Sequence, residues 1–251
     1  MDLKQWTIDA FAAQVFEGNP AAIVPLADWL DDRLMQAIAL ENNLSETAFF
    51  VETAPGRYGL RWFTPQMEVD LCGHATLASA YVVFSHVAPG LNTVTFDTRS
   101  GPLTVTRAAG GLLEMDFPAI AAKKPEGAAE IGRRLAAVMG SPEPEEVYAA
   151  PDLMAVFADA RAVRALSPQA GLGPLLNELG MRGLIAAAPS DDPAFDFVSR
   201  FFAPNHGMPE DPVTGSAHCK LAPYWAKRLG KTRMTARQIS PRGGTVVCEL
   251  R

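Results

Sequence analysis

Two short segments of this 251-residue chain combine groups that move protons with groups that hold anions. In Asn43-Leu44-Ser45-Glu46-Thr47, Glu46 stands between a predicted helix end and an apolar strand, where a carboxylate against a cleft wall can take and return a proton. In Cys72-Gly73-His74-Ala75-Thr76, His74 follows a glycine at a predicted helix start. The helix dipole there disfavours an imidazolium and predicts a neutral ring that donates one hydrogen bond and accepts another. Cys72 occupies the setting that lowers a thiol pKa and would serve a racemase, although such an enzyme needs a second thiol opposite. Asp211 precedes a second glycine-opened start, Gly215-Ser216-Ala217, and suits an ammonium or hydroxyl of a substrate. Each group also has a plainer reading: a solvated turn glutamate, a satisfied histidine, a packed cysteine and a helix-capping aspartate.

Elements must bring these segments together. Trp6 to Phe11 and Ala21 to Val24 read as strands joined by a turn at Phe16-Glu17-Gly18-Asn19-Pro20. Apolar positions 30, 34, 37 and 38 predict an amphipathic helix over 28–42, capped by Asp28 and closed at Asn42-Asn43. Residues 74–84 are apolar nearly all round, so the helix that they form is buried on every side. Strands are expected at 48–51, 58–63, 94–96, 103–107 and 112–117, then a linker over 118–125. A helix at 131–139, strands at 153–157, 183–188 and 195–202, a short helix at 172–179 and a helix from Ser216, bent by Pro223, fill the rest.

Arg61-Trp62-Phe63-Thr64-Pro65 recurs as Arg200-Phe201-Phe202-Ala203-Pro204, and each copy leads to a helix opened by glycine, at Gly73 and Gly215. The chain is therefore expected to hold two related halves, 1–118, with residues 240–251 as a candidate addition, and 119–239. In that arrangement both helix starts offer unpaired N–H groups and positive dipole ends to one anion. The net charge of −6 and the lack of a GxxxxGK[ST] loop favour a carboxylate over a phosphate.

Composition narrows the classes further. An acidic balance is the wrong sign for nucleic acid. No apolar run approaches the roughly 20 residues needed to span a bilayer, and Asp2, Lys4 and Asp9 do not form a signal peptide, so a cytoplasmic location is expected. Three cysteines without CxxC spacing, and no HExxH, leave no metal site expected. Gly171-Leu172-Gly173 lacks the third glycine of a dinucleotide loop, and no serine sits in GxSxG, so no cofactor and no serine triad are expected.

Together, the segments 16–20, 43–47, 72–76, 210–217 and Arg242-Gly243-Gly244 resemble the PhzF-type phenazine-biosynthesis isomerase family along nearly the whole chain. The resemblance implies an α+β, diaminopimelate-epimerase-like fold: two pseudo-symmetric halves, each a strand barrel around a central helix. It implies a cofactor-independent isomerase, often homodimeric, whose namesake reaction shifts a proton between ring carbons of a dihydro-hydroxyanthranilate. By the same resemblance Glu46 is the proton-shuttling glutamate, and His74 and Asp211 orient the substrate. Ser45, Gly73, Gly215 and Ser216 surround a small carboxylate ligand. An epimerase or racemase using Cys72 with a carboxylate opposite, a lyase that eliminates after the same proton abstraction, and a non-catalytic small-molecule binder stand as alternatives.

Overall fold

The computed structural model describes residues 2–206 and 208–251, which group into two units. One comprises residues 1–10 and 19–117. The other comprises 11–18 and 118–251.

The first unit carries β1 (Trp6–Ala10), β2 (Asn19–Leu26), α1 (Asp32–Asn42), β3 (Glu46–Ala54), β4 (Arg57–Phe63), β5 (Glu68–Val69), α2 (Gly73–Val82), β6 (Thr93–Thr98), β7 (Gly101–Arg107) and β8 (Leu113–Met115). The sheet runs β1-β2-β3-β4-β6-β7-β8, with β5 on β4. Helix α2 touches β1, β2 and β3 as well as β7 and β8, so strands from both ends of the sheet curl around it. A helix so enclosed has room only for small side chains: Ala75, Ala78, Ser79 and Ala80 are fully buried on it. The Thr76 and Ser79 hydroxyls donate to the carbonyls of Cys72 and Ala75, four residues back, which satisfies them without water. Period-two alternation divides the strands between faces. Ile23 and Phe50 point to the α2 side, and Val24 and Phe49 point to Met35 and Ala39 of α1.

Helix α1 departs from the sequence expectation at its start. Its cap is Asp31, whose carboxylate accepts from the Arg33 N–H at 2.9 Å, not Asp28. The intervening Leu30 packs against the core beside α1, and Trp29 lies under the Arg61 guanidinium, so the chain folds as a lead-in before the helix begins. Asn43 closes α1 in the left-handed region, a conformation asparagine tolerates, and turns the chain toward Glu46.

The second unit carries α3 (Ala128–Met139), β9 (Glu146–Ala149), β10 (Leu153–Val156), α4 (Ala160–Arg164), α5 (Leu172–Glu178), β11 (Leu184–Pro189), β12 (Phe197–Ala203), β13 (Met208–Asp211), α6 (Gly215–Leu229), β14 (Arg233–Gln238) and β15 (Gly244–Glu249). Its sheet runs β15-β14-β12-β11-β10-β9, with β13 on β12. One face packs on α6 through Met154, Ile185, Phe197 and Trp225. The other packs on α3, α4 and α5 through Leu153, Ala186, Leu135 and Leu176. Pro223 lies inside α6, which continues through it to Leu229, and residues 244–249 pair with β14 in this unit.

The two units repeat one another in strand order and direction. From β1 to β7 the pairings run antiparallel, parallel, antiparallel, parallel, antiparallel, and from β9 to β15 they run the same way. The Arg-x-Phe repeat sits on β4 and β12, and its function is visible. Arg61 forks onto Glu68 at 2.7 and 2.8 Å, and Arg200 forks onto Glu210 at 2.7 and 2.7 Å. Each guanidinium also covers the phenylalanine two residues further along its own strand, Phe63 or Phe202. A buried planar pair thus fixes, in each half, the strand that leads toward the glycine-opened helix.

Candidate active site

Glu46 is the first residue of β3, and Cys72, Gly73 and His74 form the start of α2. Within the first unit these three side chains converge. His74 Nε2 lies 3.1 Å from Glu46 Oε2, with side chains only 8% and 12% exposed. The contact is close enough for a hydrogen bond but off its line, and among the described residues neither atom makes any other hydrogen bond. The other ring nitrogen, Nδ1, lies 3.4 Å from Cys72 Sγ. One donor atom from each of the three residues lies within 4.8 Å of the other two.

Two sequence expectations about charge are corrected here. Burial works against a charged His74 ring, but the hydrogen bond to the Cys72 sulfur and the Glu46 carboxylate together outweigh it and hold the imidazole well above its usual pKa. The helix start carries only about half a unit charge, whereas Glu46 brings a full one at contact distance. The thiol moves the other way from the expectation. Burial, reinforced by the neighbouring Glu46 carboxylate, raises Cys72 above the ordinary thiol value, so the sulfur stays protonated and inert near neutrality.

Ser45 and Gly73 flank the cluster in sequence. A Cβ on Gly73 would meet the Phe117 ring at 3.5 Å, an ordinary contact, so packing does not demand glycine there. What glycine supplies is the absence of a side chain over the helix start, whose first N–H groups have no carbonyl partner within the helix. Gly215 is alike: a Cβ would touch only the Phe11 ring, at 3.7 Å.

In the second unit, Asp211 ends β13. One of its carboxylate oxygens accepts the Thr214 hydroxyl. Fully buried Gln238 clamps this turn, donating to the Asp211 carbonyl at 2.8 Å and accepting from the Thr214 N–H at 2.9 Å. Ser216 Oγ accepts from Arg182 Nη2 at 3.0 Å, and Arg182 and buried Lys220 share the buried Asp152 carboxylate, each at 2.8 Å. Gln238, Arg182, Lys220 and Asp152 escape the sequence reading because β10, β11, α6 and β14 bring them together, with no local motif to mark them. Buried His218 stays neutral, burial holding it down at about 4, and its Nδ1–H donates to the Thr214 carbonyl at 2.8 Å. It does there what the Thr76 hydroxyl does for Cys72 in the first unit.

The repeat makes the two helix starts comparable position by position. The Thr47↔Phe63 pairing of β3 with β4 corresponds to Leu184↔Phe202 of β11 with β12, so the counterpart of Glu46 is Gly183. A Cβ on Gly183 would fall 2.6 Å from the Phe201 ring and 2.8 Å from the Phe202 carbonyl, so no side chain fits. The counterparts of Cys72 and His74 are Thr214 and Ser216. Among the described residues there is therefore one titratable cluster of this kind, not two.

The phenazine biosynthesis-like protein family, PhzC-PhzF, matches residues 8–251. A Pseudomonas aeruginosa protein named as an uncharacterized isomerase is 51% identical over 251 residues, covering 100% of this chain and 92% of that protein. The human phenazine biosynthesis-like domain-containing protein is 40% identical over 269 residues, covering 100% of this chain and 93% of that protein. The crystal structure of a PhzF-family protein from Enterococcus faecalis superposes with a TM-score of 0.91 at 44% identity, covering 100% of this chain and 92% of that one.

Proposed function

Because the chain belongs to the phenazine biosynthesis-like (PhzC-PhzF) family, we propose that this isomerase moves a proton on a small carboxylate-bearing substrate with Glu46 as its single base. Its fold is the diaminopimelate-epimerase-like one, two related halves each curling strands about a central helix. The observation that carries the proposal is the Glu46–His74 contact. A carboxylate oxygen and an imidazole nitrogen, both buried, face each other 3.1 Å apart and spend no hydrogen bond on any other described group. Buried polar atoms are ordinarily satisfied, and a pair left this way is suited to a substrate's reacting atoms.

In this mechanism Glu46 removes a proton from one carbon, exchanges it with solvent, and delivers a proton to another. His74, held cationic, directs Nε2–H at the electron-rich oxygen formed during the transfer. Gly73 and Ser45 leave the α2 start open to the substrate carboxylate. In the second unit, Gly215 and Ser216 receive an anionic group at the α6 start in the same way, and Asp211, braced by Thr214 and Gln238, orients a polar substituent. The alternative of a racemase using Cys72 with a carboxylate opposite fits less well, because the Cys72 thiol is buried with a raised pKa. A cytoplasmic homodimer in a biosynthetic role, acting without a cofactor, completes the proposal, and light scattering on purified protein checks the dimer.

The reading is tested with a substrate found by thermal-shift screening of small amino, hydroxy and ring carboxylic acids, followed by turnover in D₂O. A product carrying solvent deuterium at a carbon other than the one deprotonated, with a displaced double bond, is the expected result. Inversion at the deprotonated carbon alone would transfer the case to the racemase alternative.

A further inference from the structure

We propose that Glu46, Cys72 and His74 form a binding site for one thiophilic divalent cation, with zinc as the type, and that its occupation withdraws Glu46 from proton transfer. The site follows from the donor set and its spacing. A carboxylate oxygen, a thiol sulfur and an imidazole nitrogen lie within 4.8 Å of one another. Zinc bonds of about 2.0–2.3 Å in tetrahedral geometry place ligand atoms about 3.3–3.7 Å apart. Donor atoms no more than 4.8 Å apart need to draw together by about 1 Å at most, within reach of small side-chain rotations.

The supports are rigid. Glu46 stands on β3, hydrogen-bonded on both sides, and Cys72 and His74 flank Gly73 at the start of an enclosed helix. Metal binding displaces the thiol proton of Cys72 and a ring proton of His74 to solvent. Sulfur, nitrogen and a single carboxylate select zinc-like ions and disfavour magnesium and calcium. A fourth position stays open for water or a substrate carboxylate. The second unit cannot repeat the site, since Gly183, Thr214 and Ser216 stand at the corresponding positions, and among the described residues no other group of three offers such donors. The binding half of the proposal stands on this geometry. The inhibitory half rests on the reading of Glu46 as the base.

The test is titration of the metal-free full chain with Co²⁺, read by absorption. A thiolate-to-cobalt charge-transfer band that saturates at one ion per chain and is discharged by Zn²⁺ is expected. Cys72→Ser should abolish that band and weaken Zn²⁺ about tenfold or more. Glu46→Gln should keep the band while weakening Zn²⁺ to a similar degree, and Cys219→Ser should change neither. Circular dichroism verifies folding of each variant. No stoichiometric band in the parent chain, or a band that survives Cys72→Ser, overturns the site. Zn²⁺-loaded protein that still incorporates deuterium into substrate at the metal-free rate overturns the inhibitory half. The base assignment itself is judged separately, by Glu46→Gln in metal-free protein.

Discussion

Arg200→Met removes the guanidinium of the second Arg–Glu clamp while keeping the apolar stem. The pair is nearly buried, with side chains 11% and 16% exposed. The substitution deletes two short bonds to Glu210, at 2.7 Å each, and strips a donor from the carbonyls of Val163, Arg164 and Leu166 near the end of α4. Leaving a buried carboxylate without its partner costs about 3–5 kcal/mol, so a loss of about 4 kcal/mol is expected. Arg61→Met should cost less. Its fork onto Glu68 is similar, but its third contact is to Asp32, which is 74% exposed and contributes little. Urea unfolding monitored by circular dichroism and by tryptophan fluorescence gives both values. A double cycle with Glu210→Gln should return a coupling of about 2 kcal/mol. A cost below about 1 kcal/mol for Arg200→Met, or a larger cost for Arg61→Met, would refute the view that this duplicated clamp anchors each glycine-opened helix start.

Other outcomes follow from the same geometry. Gly183→Ala should destabilise the chain by about 1–3 kcal/mol, because its Cβ would sit 2.6 Å from the Phe201 ring. Gly73→Ala should leave stability equal or higher, given alanine's better helix propensity, yet reduce the ligand-induced thermal shift by covering the helix start. Imidazole titrations by NMR should separate the two buried rings, His74 titrating above the ordinary histidine range and His218 near 4. Their linkage has opposite signs. Between the unfolded value near 6.5 and the raised native one, native His74 holds a proton that the unfolded chain has released, so its stabilising contribution is lost as pH rises through that window. Below about 6.5 the unfolded chain takes up a proton that native His218 refuses until about 4, so stability falls as pH drops across that range. Glu46→Gln should lower the His74 pKa and diminish the alkaline loss.

Much of this was legible in the sequence because the site is written in contiguous motifs. Residues 43–47 and 72–76 each place chemistry at an element boundary, and boundaries marked by asparagine, serine and glycine can be read locally. The recurrence of Arg61 and Phe63 as Arg200 and Phe202 disclosed the duplicated halves. Its partners, Glu68 and Glu210, lie at different distances along the chain and surface only when β5 and β13 fold back. The charge state of His74 was misread because a helix dipole is a local feature, whereas the opposing Glu46 arrives from another strand. Asp28 competed with Asp31 for the same cap, and only the packing of Leu30 and Trp29 decides between them. Gln238 and the Asp152–Arg182–Lys220 cluster depend wholly on strand register, which no periodicity encodes.

Deuterium incorporation by metal-free Glu46→Gln, measured beside the parent chain with a ligand identified by thermal shift, tests the assignment of the base most directly. The amide keeps the volume and hydrogen-bonding reach of the carboxylate but accepts no proton from carbon. Exchange should therefore disappear while the ligand-induced thermal shift stays near the parent's. Exchange at the parent rate in a folded, ligand-binding variant would contradict the account.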